Sequence, residues 1–174
     1  MKKLFILVIF FISCNNRNEE IPEIKIVTNR DYFPTIRDVI RTSREYIYFT
    51  MFVAKIEGYN QVSMLLYELI SAKEKGITIK VLLDSSSYDD ELNRSNSIFA
   101  DSLRKYGIEV KFDSPDTTTH AKFGIFDGKI VLIGSTNWTY SSLERNNEVN
   151  ILIKDKEIAE ELKIYFEKLW GKDD

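Results

Sequence analysis

One histidine and one cysteine are all that this 174-residue chain holds of two side chains central to metal sites and covalent cross-links. A lone cysteine closes no internal disulfide. With a single imidazole and no carboxylates clustered at ligand spacing, the sequence predicts no metal site, and no cofactor is expected. Positive charge is also short: 24 Lys and Arg stand against 27 Asp and Glu, a net charge of -3. That balance argues against the broad basic surface of a protein that wraps duplex DNA, while leaving room for a local positive pocket around one phosphate. What the chain has in quantity is apolar surface, 44% of residues with 13% aromatic, which suits one globular domain with a full core.

The start differs from the rest. Met1-Lys2-Lys3 is a basic lead, Leu4 to Ile12 is an unbroken apolar run, and Ser13-Cys14 follows. A spanning helix needs about 20 apolar residues, so this run reads as a signal peptide over residues 1–14. A small residue followed by cysteine is similar to the bacterial lipoprotein signal, with Cys14 as the lipidation site. The alternative is an ordinary signal with an incidental cysteine, since Phe11 stands where the lipoprotein pattern prefers leucine. Lipidation would make the chain an exported protein anchored to a membrane of the cell envelope. Residues 15–23, NNRNEEIPE, are polar and read as a tether; 24–174 then form the catalytic domain.

From Ile24 onward β-branched runs alternate with amphipathic segments, which predicts an α/β fold with a mixed sheet sandwiched between helices. Strands are expected at 24–28, 45–53, 77–84 and 108–112, and helices at 34–44, 61–75, after the polar stretch 85–96 as far as Tyr106, and at 156–170. Lys75-Gly76 and Gly107 supply helix stops.

The stretch from His120 to Ile153 carries the chemistry. Two apolar runs flank Asp127-Gly128, a strong hairpin signal. His120 and Lys122, two apart on one strand, leave the same face. A two-residue loop at Asp127-Gly128 sets His120 opposite Ser135, and one at Gly128-Lys129 sets it opposite Asn137. On the next strand Val149, Ile151 and Ile153 share one face and Glu148 and Asn150 the other, so Glu148 is expected on the histidine's side. An imidazole can attack phosphorus when its second nitrogen donates to an acceptor, for which Glu148 is the candidate. Lys122, Asn137 and Ser135 can supply donors to the charged phosphoryl oxygens. Trp138 and Tyr140 suit core or dimer contacts, with base stacking or lipid contact as the alternative. Lys105, Lys111 and Lys129 read as solvated surface.

These residues resemble the phospholipase D superfamily: His120, Lys122 and Asp127 reproduce its H-x-K-x4-D motif, Gly134-Ser135-Thr136-Asn137 its G-S-x-N pattern, and Glu148 its later acidic partner. The likeness is to the short, single-motif bacterial endonucleases. It implies a phosphohistidine on His120 and nucleic acid or phospholipid as substrate. Asp127, Gly128 and Gly134 are expected to be structural. Such a mechanism wants a second group to protonate the leaving oxygen, and the chain has no second histidine. A homodimer with a shared active site supplies one from the partner copy, and a carboxylate relay through Glu148 is the simpler alternative. A membrane-tethered binding protein without turnover is the remaining reading.

Overall fold

The computed structural model describes residues 21–171; Cys14 and the expected signal lie outside the described residues. Seven strands, β1 (Glu23–Thr28), β2 (Tyr46–Met51), β3 (Thr78–Leu83), β4 (Glu109–Phe112), β5 (Phe123–Phe126), β6 (Ile130–Gly134) and β7 (Val149–Lys154), form one mixed sheet. Its order is β1-β7-β6-β5-β2-β3-β4. The parallel pairs β2/β3 and β3/β4 are joined by helical crossovers, while β5, β6 and β7 run antiparallel.

Five α-helices cover the sheet: α1 (Tyr32–Thr42), α2 (Gln61–Glu74), α3 (Asp90–Arg104), α4 (Tyr140–Glu144) and α5 (Lys156–Trp170). On one face Ile36, Leu65, Phe99 and Leu143 from the first four helices pack with Phe49, Val81 and Trp138. On the other face α5 alone lays Ala159, Phe166 and Trp170 over Phe123, Ile125 and Val131. This is the expected α/β sandwich.

Some element limits differ from expectation, each for a local reason. Helix α1 begins two residues before Pro34, because proline in a first turn removes an N–H that has no helical partner anyway. Helix α3 starts within the polar stretch, where the Asp89 side chain accepts the Leu92 N–H as an N-cap. Helix α4 was not expected; it is only five residues long, started by Thr139 accepting the Ser142 N–H.

The hairpin corrects both expected registers. Phe126 pairs with Ile130, so three residues, 127–129, form the loop, with Asp127 and Gly128 both at positive φ. His120 is therefore in register with neither Ser135 nor Asn137, and it lies ahead of the strand proper, which begins at Phe123. The expected alternation on β7 holds, yet the polar face is the buried one. Asn150 is 2% exposed and Val149 58%. Asn150 earns its burial by clamping neighbours: its amide nitrogen donates to Thr136 Oγ1 at 2.8 Å and its oxygen accepts the Thr136 N–H at 3.3 Å. Gly134 belongs to that clamp, since a Cβ there would run into the Asn150 side chain and backbone.

Candidate active site

The antiparallel run of β2, β5, β6 and β7 brings the end of β2, the entrance to β5, the exit of β6 and the entrance to β7 to one edge of the sheet, and parallel β3 ends there too. His120, Lys122, Ser135 and Glu148 sit along that edge. His120 is exposed and its ring rests on Phe52, centroids 4.6 Å apart. Lys122 is 6% exposed; its Nζ lies 3.2 Å from His120 Nδ1 and donates to the His120 carbonyl at 2.6 Å. Its ammonium also sits 5.1 Å from the Phe52 ring centroid, a cation–π contact.

This geometry constrains the histidine. An ammonium carries no lone pair, so Nδ1 beside it must be the acceptor and the ring proton resides on Nε2. Partial desolvation of the otherwise exposed ring, and then the adjacent Lys122 charge, hold the His120 pKa below the ordinary histidine range. The imidazole is consequently neutral at pH 7. Burial likewise lowers the Lys122 pKa, against the opposing charges of Glu148 and Asp84.

Glu148 departs from its expected partner. It is buried, accepts the Ser135 hydroxyl proton in a short bond and the Asn146 amide at 3.0 Å, and makes no hydrogen bond to His120. The β6/β7 register is the reason: Ser135, just past the end of β6, stands beside the entrance to β7, and Ser135 Oγ in turn accepts the Val149 N–H at 3.1 Å. With its proton committed to Glu148, Ser135 is not free to donate to a phosphate in this arrangement. The Asn137 carbonyl oxygen is buried without a partner, and no hydrogen bond among the described residues engages its amide nitrogen. Trp138, next to it, is fully buried; its backbone bonds to Val53 and Lys55, and its indole N–H donates to Tyr32 Oη at 3.1 Å.

Asp127 sits at the opposite end of β5. Its carboxylate accepts the backbone N–H groups of Arg44, Glu45 and Tyr46 at 2.8 to 3.0 Å, tying the start of β2 to the hairpin. Gly128, at φ +61°, passes so close to Tyr46 that a Cβ would fall 2.8 Å from the phenol oxygen. Of the three surface lysines, Lys105 is exposed and Lys129 pairs with Glu45 at 3.6 Å. Lys111 is only half-exposed, donating to the Trp170 carbonyl and lying over its ring.

Three residues at this edge escaped the motif reading. Asp84, at the end of β3, is completely buried; Oδ1 accepts the Thr119 N–H at 2.6 Å and Oδ2 is buried with no partner. Asp113 accepts the Thr119 hydroxyl in a short bond. Asn96 on α3 ties the Phe52 and Asp84 carbonyls to the Ala54 N–H, all at 2.9 Å. An aspartate closing a buried apolar strand, VLLD, is the one signal that marked this corner. Among the described residues no three His, Cys, Asp or Glu side chains converge as metal ligands.

Residues 36–170 match the sequence profile of the family described as cardiolipin synthase, PLD-like domain. A phospholipase D of Rickettsia bellii is 34% identical over 125 residues, covering 72% of this chain and 57% of that protein. The mitochondrial cardiolipin hydrolase of Chlamydomonas reinhardtii is 30% identical over 102 residues, 59% of this chain and 44% of that one. The chain thus spans about half the length of these curated relatives. Among solved structures, the phospholipase D family member Nuc from Salmonella typhimurium superposes with a TM-score of 0.74 at 19% identity, covering 87% of this chain and 95% of Nuc. NucT from Helicobacter pylori gives 0.68 at 22% identity, covering 85% and 96%. The sandwich, the H-x-K-x4-D residues on its β5 hairpin and the match across most of the sequence together make this chain a member of the PLD-like domain family.

Proposed function

We propose that this chain is a metal-independent phosphodiester hydrolase that works through a phosphohistidine on His120, as an exported homodimer with one shared active site, and that its substrate is nucleic acid. The observation that carries the reading is the exposed His120 ring at the strand ends with the Lys122 Nζ 3.2 Å from its Nδ1. Attack by Nε2 needs the other tautomer, with the proton on Nδ1. The diester anion supplies the trigger: it draws Lys122 off Nδ1 and onto a phosphoryl oxygen, where the charge builds in the transition state. The Nε2 lone pair forms the N–P bond, the P–O bond to the leaving group breaks, and the partner copy's His120, protonated to the imidazolium beside the bound diester anion, gives that oxygen its proton and becomes neutral. Water then attacks phosphorus, the same partner histidine takes its proton, and the N–P bond breaks.

An uncovered face beside the site supports the dimer. Because α5 crosses the sheet toward β3 and β4, where Glu167 meets Lys80 and Trp170 meets Lys111, Ile26, Ile151 and Ile133 form an open cross-strand row, with Ile24 and Val149 around it. Contiguous apolar surface of this kind marks an interaction site. It adjoins Ser135 and Glu148, so a two-fold contact there brings two copies of the site together. Export and anchoring rest on the basic lead, apolar run and Cys14. No helix among the described residues is long and apolar enough to cross a membrane.

The nucleic-acid reading follows from the resemblance to single-motif endonucleases and is supported by a fold match that covers 95% of Nuc and 96% of NucT. A phospholipid substrate is the second reading. It is favoured by Tyr59 and Tyr88, 83% and 81% exposed on loops leaving β2 and β3 at the His120 end, and by the names of the curated relatives. Purified protein without residues 1–14 should be incubated in EDTA with plasmid, single-stranded nucleic acid, and phosphatidylcholine and cardiolipin vesicles. Nicked plasmid or shortened strands is the expected result. Cleavage of vesicles alone would reject the nuclease, loss of all turnover in EDTA would sink the metal-free mechanism, and no turnover under any condition would leave the binding protein.

A further inference from the structure

We propose that Asp84 is a positioning residue of this site: Oδ1 holds the Thr119 N–H and so sets His120, while the buried, unpartnered Oδ2 presents its charge to Lys122. The inference rests on the reading of Lys122 as the phosphate-binding cation. Three observations carry it. Asp84 is 0% exposed, and its Oδ2 is a buried carboxylate oxygen without a hydrogen-bond partner. A buried ionised carboxylate is costly unless a counter-charge faces it. The carboxylate sits one residue from the histidine, through a 2.6 Å bond to Thr119 that a second buried carboxylate, Asp113, reinforces from the end of β4.

The counter-charge is Lys122. Asp84 and Lys122 feel each other electrostatically, each favouring the other's ionised form. The groups facing Lys122 are His120 on its own segment, Glu148 at the entrance to β7 and Asp84 at the end of β3; Asp113 faces Asp84 from behind. Glu148 acts on Lys122 more strongly than Asp84 does but is already engaged by Ser135 and Asn146, whereas Asp84, although the Ser85 backbone also favours its charged form, has an Oδ2 with no hydrogen-bond partner. When the phosphate draws Lys122 forward, Asp84 stays fixed by Thr119, so the lysine moves against a stationary anion and the histidine's backbone does not follow it.

Two measurements test this without depending on turnover. Lysines labelled with 13C at Cε are titrated by NMR in wild type and Asp84→Asn, which keeps an oxygen for Thr119 and removes the charge. The Lys122 resonance, assigned by its loss in Lys122→Met, should titrate at lower pH in Asp84→Asn; an unchanged titration overturns the proposal. The second is a stability cycle. Burial, ahead of the Asp113 charge, raises the Asp84 pKa, so in Lys122→Met the carboxylate loses its counter-charge and stability should fall as pH rises above the ordinary carboxylate range. Adding Asp84→Asn should restore that stability, and Tm losses that simply add in the double variant would refute the pairing. The cycle also covers the case in which Asp84→Asn alone does not fold. A purely structural Asp84 would move Tm and leave the Lys122 titration in place. If these shifts appear while the wild type turns over no phosphodiester, the enzyme reading fails and the Asp84 pairing stands.

Discussion

At the scale of single residues the histidine's solitude is an experimental advantage. Because the chain has one His, its ring resonances titrate without overlap. The His120 pKa is held down by partial desolvation and by the Lys122 ammonium, so in Lys122→Gln it should rise toward the ordinary range without reaching it, the desolvation being retained. NMR titration reads this directly, and a pKa that stays put or falls would break the assignment of Lys122 to Nδ1. The same sign applies to rate: the attacking His120 must be neutral, so the acidic limb of kcat/KM should lie below the ordinary histidine range, while the partner's His120 must hold the proton it gives, which adds a basic limb. His120→Asn should abolish turnover, and Lys122→Gln should cost about 3 to 4 kcal/mol of barrier, some 100- to 1000-fold in kcat. The contact between His120 and Lys122 was legible in the sequence, since their two-residue spacing puts them on one face. The partner of Glu148 was not, because hydrogen bonding at the strand ends is set by register, and the β6/β7 pairing puts Ser135 within reach of Glu148.

Elements are positioned by residues far from the chemistry. Asp127 fastens β2 to the β5–β6 hairpin through three backbone N–H groups, and those donors lose a charged acceptor if it is removed. Asp127→Ala should cost about 2 kcal/mol, a Tm lower by roughly 4 to 8 °C for a chain of this size. Turnover below the new Tm should be close to wild type, because the residue stands at the other end of β5 from His120. Thermal melts paired with kcat measurements check this; a kcat collapse without loss of stability would make Asp127 part of the chemistry. The alternation of helix and strand was readable from periodicity and glycine stops, and α5 occupies its expected 156–170. Helix α4 was not, because five residues are too short to show a 3.6-residue repeat.

For the whole molecule the decisive question is whether the open row Ile26, Ile151 and Ile133 is covered by a second copy. A charge at its centre tests this, since Ile151 is exposed in the single chain and Ile151→Lys leaves the core intact. Sedimentation should show wild-type dimers and Ile151→Lys monomers, with turnover falling alongside the dimer; a fully active monomer would remove the shared site. The sequence by itself determined the alternating α/β architecture, the hairpin at Asp127-Gly128 and the histidine–lysine pair, because each is written in local spacing, side-chain type or turn chemistry. Tertiary structure alone decided that the polar face of β7 is the buried one, that α5 leaves Ile26, Ile151 and Ile133 uncovered, and that Asp84 from the end of β3 accepts the Thr119 N–H beside His120. Those facts depend on which strands become neighbours, and strand order arises from contacts between segments dozens of residues apart that no local pattern encodes.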